Sequence, residues 1–342
     1  MSTHWEDLVA RVRGLSGHLL GRSRLEALSR SRDLVQLSAA LEEMYGAASH
    51  ASMSSSAEQL ELVVRRVAAR YMRVIARWAG NRSRFLAPLF LDEDRRSIRS
   101  LIRGAAAGSP PSERLASLVP TPALPERALE ELSQKESVAE VVSLLALWGH
   151  PLGTPLTTEA RRPQPDLLRL DLLLNTTFAK LAARAIRRAP LGNAARRDLR
   201  AWIHGIIDIE NAFTALQLAG QHVSLDPMQF FVPGGRAVDR LAFASAIAGG
   251  NIGAAISILE RALRATAYAP VFKSLGTQPI EDVALAAELR GAKAAARRSP
   301  LGAAPLIAFL TRLRAEVRDV RGIIWRVALG APADASEMVT IA

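Results

Sequence analysis

The chain has 342 residues, of which 49% are hydrophobic and 5% aromatic, with no cysteine and a formal net charge of +11. That length suggests more than one domain with ample apolar material for cores, and the missing thiols exclude disulfides, thiolate metal sites and cysteine nucleophiles. Ala and Leu dominate and β-branched alternation is almost absent, so the chain reads as all-α.

The first residues, MSTHWEDLVARVRG, lack the basic-then-apolar order of a signal peptide. Helical signals begin with VARVRGLSGHLL and LEALSRSRDLVQLSAALEEMYG, the second ending at Tyr45. A long amphipathic helix follows. Leu62, Val63, Val67, Tyr71, Val74, Ile75 and Trp78 share one face, and Arg65, Arg66, Arg70 and Arg73 mostly lie off it. DRRSIRSLIRG then sets Asp94, Ser97, Ile98, Leu101 and Ile102 at offsets 0, 3, 4, 7 and 8, which share a helical face. A Pro-rich stretch, SPPSERLASLVPTPALP over 109–125, breaks the helical pattern.

The middle third runs through LLALWGHP, with Trp148, and a polar loop, TEARRPQPD. Its long helix, LLRLDLLLNTTFAKLAARAIRRA, ends in basic residues, which suit a helix C-terminus. DIENAFTAL repeats the earlier offsets with Asp208, Asn211, Ala212, Ala215 and Leu216. A second Pro-rich stretch, DPMQFFVPGG over 226–235, opens the last third. There LAFASAIAGGNIGAAISIL, 241–259, carries no charge and is nearly long enough to span a bilayer. Gly249-Gly250-Asn251 interrupts it, which predicts two short buried helices joined at a turn. RATAYAPV with Tyr268, the Ala-rich VALAAELRGAKAAARR, and EVRDVRGIIWR with Glu316, Asp319, Val320, Ile323 and Ile324 complete the chain.

Two anchors, an aromatic closing an apolar helix and an acid heading an apolar stripe, thus recur three times in the same order. They divide the chain into three helical units, 1–112, 113–226 and 227–342, each of ordinary domain size. The acids are expected near helix starts, where they would satisfy free N–H groups or bond a neighbouring helix. Catalysis would demand a separate partner set for each of three acids over 100 residues apart. The six histidines lack helix-borne zinc spacing, and no phosphate loop, dinucleotide fingerprint or GxSxG elbow occurs. No catalytic, metal or cofactor residue is therefore expected. Trp5, Trp78, Trp148, Trp202 and Trp325 read mostly as core residues. The charge is either compositional or marks attraction to acidic protein, anionic lipid or nucleic acid. The Arg pairs are scattered without an RNA-binding or zinc-finger signature, so nucleic acid is not expected as a partner.

These segments resemble a known family, the cap of the central stalk in V/A-type ATPases, known as the C subunit in prokaryotic complexes and the d subunit in eukaryotic ones. Ala10-Arg11-Val12-Arg13, Leu19-Leu20 and the helix ending at Leu41 and Tyr45 are similar to its N-terminal signature. FLAPLFLDEDRRSIRSLIRG resembles the segment in which an acid and an Asn precede an apolar run and an Arg, here Arg103. DIENAFTALQLAG, FFVPGG and EVRDVRGIIWRVALGAP resemble later segments in the right order. Ser97 and Asp319 stand where Asn is usual, and Gln217 where Arg is common. The resemblance implies an all-α funnel of three related domains about a pseudo-threefold axis. It also implies a non-catalytic socket, without cofactor, that seats the D and F axle subunits on the membrane c-ring. Such a protein transmits torque for ion transport, with the proton as the expected ion, and lies peripherally on the cytoplasmic face of the membrane. Its basic surface would meet anionic lipid headgroups or acidic c-ring loops. The alternative is a divergent helical scaffold or regulator acting outside a rotary ATPase.

Overall fold

A computed structural model describes residues 6–46, 56–116, 118–188, 192–220, 226–274, 279–331 and 338–339. All regular structure among them is helical, with no strand. Six long helices come as three consecutive pairs: α4 (Ala57–Ala79) with α5 (Ser83–Ala106), α10 (Leu167–Arg188) with α11 (Asn193–Ala219), and α14 (Ile280–Arg298) with α15 (Ala304–Ala328). Short helices precede each pair: α1 (Glu6–Ser16), α2 (Arg22–Ser29) and α3 (Leu34–Tyr45); α6 (Pro111–Leu115), α7 (Glu126–Ser133), α8 (Val138–Leu147) and α9 (Thr157–Ala160); α12 (Arg240–Ala248) and α13 (Ile252–Leu263).

Local chemistry sets these boundaries. Asp33, Ser137 and Asn251 each accept the N–H three residues on and so start α3, α8 and α13. Gly149 and Gly250 take positive φ just after α8 and α12, a conformation that favours glycine. The uncharged run therefore splits into α12 and α13 as expected. Leu241 and Ile252, near the starts of the two helices, nonetheless remain 75% and 51% exposed instead of being buried. Among the described residues no helix is long and apolar enough to cross a membrane.

Three main apolar clusters form, and they share the long helices. Leu86 and Leu89 of α5 lie in the first, with Leu41, Ile75, Phe178, Leu199, Phe309 and Ile324. Further along the same helix, Ile98 and Leu101 lie in the second, with Leu129, Val142 and Leu170. In α11, Leu199 and Ile203 join the first cluster, whereas Ala212 and Leu218 join the third, with Phe243, Leu259 and Val283. Fully burying one such Leu or Ile side chain contributes about 1.5–3 kcal/mol. A helix committed to two clusters therefore resists bending between them.

The structure corrects three expectations. Asp94, Asp208 and Glu316 sit in the middle of α5, α11 and α15, not near helix starts. The residues before them, such as Ile203, Ile206, Leu306 and Leu310, already form a buried helical face. Arg65 is buried in α4 rather than lying off its apolar face. Among the described tryptophans, Trp148 is exposed and Trp78, Trp202 and Trp325 are only partly buried; Trp5 lies outside the described residues.

Candidate functional site: helix junctions held by buried charge

The repeated acids make three related junctions. Glu316 on α15 accepts the backbone N–H of Leu20 at 2.5 Å, just before α2, and the Tyr45 hydroxyl at 3.0 Å. Asp208 on α11 accepts the N–H groups of Arg236, Ala237 and Val238 at 2.8–2.9 Å through one oxygen, just before α12. Asp94 on α5 accepts the Thr121 hydroxyl at 2.5 Å, and that hydroxyl in turn accepts the Leu124 N–H at 3.0 Å, just before α7. Leu20, Leu124 and Val238 occupy the same place relative to the short helix that follows, and Glu316 and Asp208 grip that point directly, Asp94 through Thr121.

The second polar residue of each motif behaves less uniformly. Asn211 pairs with both backbone groups of Val232 at 2.9 Å, and Asp319 accepts the Val339 N–H at 2.7 Å. Ser97 is buried, and Arg103 reaches Asp171 at 2.5 Å. Burial raises the Glu316 carboxyl to about 7 and also raises Asp208, in the latter case against its three N–H donors. Such groups hold helices together. Asp94 also meets His150 Nε2 at 3.3 Å, and these contacts, like those of the other two acids, are buried between helices.

Sequence reasoning missed the larger charged assembly beside them. Arg95 is fully buried. It donates to Asp92 at 2.7 Å, to Asn175 at 2.6 Å and to Glu210 at 2.7 Å, with Phe178 stacked 5.2 Å from its guanidinium. Arg99 clamps Glu210 and Asn175 at 2.8 and 2.7 Å. Arg96 donates to Asp92 at 3.0 Å. Arg314 bridges Glu93 and Glu288 at 2.7 and 3.1 Å, and Trp202 donates to Glu288 at 3.2 Å. The network thus ties α5, α10, α11, α14 and α15 together, with Asp92, Glu93, Glu210 and Glu288 cancelling Arg95, Arg96, Arg99 and Arg314. Burial works to raise the Asp92 and Glu210 carboxyls. The arginines around them overcome it and hold both well below the usual carboxylate range.

The only local signal was the charged run DEDRRSIR in a long helix, and by periodicity alone such a run reads as facing solvent. Above this network lies a recess of about 730 Å³ between α5, α6 and α15, lined by Arg96, Arg99, Arg103, Arg114, Arg321 and Trp325.

The chain is all-α, and its long helices are clamped to one another by cancelled buried charge. The chain belongs to the ATP synthase (C/AC39) subunit family, whose sequence model matches residues 8–337. It is 35% identical to the C subunit of the V-type ATP synthase of Thermus thermophilus over 161 residues, 47% of this chain and 46% of that one. The match therefore spans a little under half of the Thermus relative. It is 25% identical to the C subunit of the A-type ATP synthase of Halorubrum lacusprofundi across 98% of this chain and 97% of that one. Identity to the V-type C subunit of Deinococcus radiodurans is 26%, across 73% and 65%.

Proposed function

We propose that this chain is the non-catalytic rotor component that couples the D–F axle to the membrane c-ring and transmits torque for ion transport, with the proton as the expected ion. In this reading the sequence units 1–112, 113–226 and 227–342 form a three-domain funnel with pseudo-threefold symmetry. The observation that carries it is the arginine-lined recess backed by the buried charge network. A coupler needs a rigid seat that does not yield under load. Close packing of helices and cancelled buried charges supply that rigidity, and Arg114, held by backbone carbonyls, with the half-exposed Arg103, suits the recess to an acidic counterpart on the axle.

Pull-down from detergent-solubilised membranes tests the reading. Tagged full-length protein is expected to retrieve the D and F subunits and the c-ring. Arg103→Glu, at a side chain 53% exposed on the recess, is expected to weaken capture of the axle while helicity is kept. Monodisperse wild-type protein without affinity for a purified axle would overturn the proposal and leave the free-scaffold reading. The peripheral, cytoplasmic-face position belongs to the same proposal, with part of the arginine-rich surface turned toward anionic headgroups. Co-sedimentation with anionic but not neutral vesicles checks that part.

A further inference from the structure

Each acid-bearing long helix meets another long helix, but the three meetings are not packed alike. Between α5 and α10, Phe178 fills the space beneath Arg95. Between α15 and α4, Tyr71 meets Phe309 edge-on with ring centres 5.9 Å apart. Between α11 and α14 the walls carry Ala201, Gly205, Gly291, Ala292 and Ala295, and a cleft of about 700 Å³ opens. Its back wall is the loop 265–268. A Cβ on Gly291 would fall 2.5 Å from the Ala267 methyl, and one on Gly205 would fall 3.2 Å from the Tyr268 ring. The two glycines let that loop press in, while the small side chains beside them leave the remaining space unfilled.

The charges of the cleft divide into spent and unspent. Asp208 is occupied by three backbone N–H groups, Asp198 accepts the Ser299 hydroxyl at 2.8 Å, and Glu288 is held by Arg314 and Trp202. Arg236 and Arg298 are exposed at the rim, and among the described residues neither has a carboxylate partner. Trp202 and Tyr268 supply aromatic surface inside. The volume lies within the range of about 300–1,000 Å³ usual for small-molecule sites, which combine apolar walls with a few polar groups.

We infer that the α11–α14 cleft binds a small organic anion, with a flat apolar body lying between the helices and its acidic group on Arg236 and Arg298. Guanidinium groups left without internal partners are suited to bind carboxylate, sulfonate or phosphate. The site goes beyond the coupling role and shares no lining residue with the arginine-lined recess. A bound molecule would bridge α11 to α14 at the one loosely packed meeting and so stiffen it.

The test titrates the purified full chain with 8-anilinonaphthalene-1-sulfonate, a flat aromatic sulfonate, and with N-phenyl-1-naphthylamine, a neutral counterpart. One saturable sulfonate site per chain is expected. Arg236→Glu and Arg298→Glu should each weaken it by about tenfold or more, and Ala201→Trp, which fills the cleft, should abolish it. Arg24→Glu, on the exposed face of α2, should bind as wild type. The neutral probe should bind more weakly and ignore the arginine substitutions. Unsaturable binding, equal affinity for the neutral probe, or arginine variants that bind as wild type would overturn the inference. So would an isolated chain that binds no sulfonate but loses an axle or c-ring partner on Arg298→Glu, since the occupant would then be a protein segment. Circular dichroism checks folding of every variant, and if Ala201→Trp misfolds, the arginine variants decide.

Discussion

Glu316 faces the Leu20 N–H, the Tyr45 hydroxyl, Arg312 and Asp319, and its carboxyl is raised by burial from 4.5 to about 7. A carboxyl whose folded value exceeds its unfolded one stabilises fully below the unfolded value and loses that contribution as pH rises through the folded one. The window here runs from 4.5 to about 7. Glu316→Gln should keep both contacts, with the amide oxygen on Leu20 and the amide nitrogen donating to the Tyr45 oxygen, but without titrating. Urea unfolding should show wild type losing roughly 3 kcal/mol relative to Glu316→Gln between about pH 4 and pH 8. Parallel pH profiles for the two proteins would refute this. Asp208→Ala strands three backbone donors and should cost about 2–3 kcal/mol with helicity unchanged, measured the same way. An unaltered unfolding midpoint would count against it. The acids themselves were legible as a repeated motif, but their donors were not, because Leu20 and Val238 act through backbone N–H groups that any residue but proline supplies. The Trp148 anchor misled for a related reason. Trp148 stands 40% exposed, and His150, two residues on, turns its Nε2 to within 3.3 Å of Asp94 in the role that Tyr45 plays toward Glu316.

At the scale of elements, α5 shows why helices were easy to find and their surroundings were not. Periodicity marks the stripe through Asp94, Ile98 and Leu101, and it assigns Asp92, Arg95 and Arg96 to other faces, which ordinarily means solvent. Here those faces meet α10, α11, α14 and α15, so charges from separate parts of the sequence converge in one buried network. Glu210, Glu288 and Arg314, each on a helix that carries several other charges, gave no local sign of belonging together. Arg95→Met is the direct test. It removes the shared cation and leaves Asp92 and Glu210 buried beside too little positive charge, so stability should fall by about 3–5 kcal/mol in chemical denaturation. A loss below about 1 kcal/mol, the scale of an exposed pair, would mean that water reaches the network.

For the whole molecule, the decisive contact is between the two ends of the described chain. Besides the grip of Glu316 on Leu20 and Tyr45, Arg312 donates to the carbonyls of Ser16, Leu19 and Leu20, and Arg326 donates to that of Ser29. Leu8, Val12, Leu25 and Leu41 lie in one cluster with Leu313, Val320 and Ile324. The order of the repeated motifs could be read from the sequence, but this closure could not, since motif order says nothing about which helices the last one embraces. It follows that residues 6–45 act as the missing wall of α15 rather than as an independent unit. A protein lacking residues 1–46 should therefore expose the apolar face of α15 and the Glu316 carboxyl, and should aggregate or lose cooperative unfolding. Supplying residues 1–46 as a separate chain during expression should restore a soluble, helical complex, because the interface is built from side chains and backbone donors that do not require the covalent link. Circular dichroism and size-exclusion chromatography of the truncated and complemented proteins decide the matter. A truncated chain that stays monomeric, with undiminished helicity per residue and a single sharp unfolding transition, would show that α15 needs no N-terminal wall.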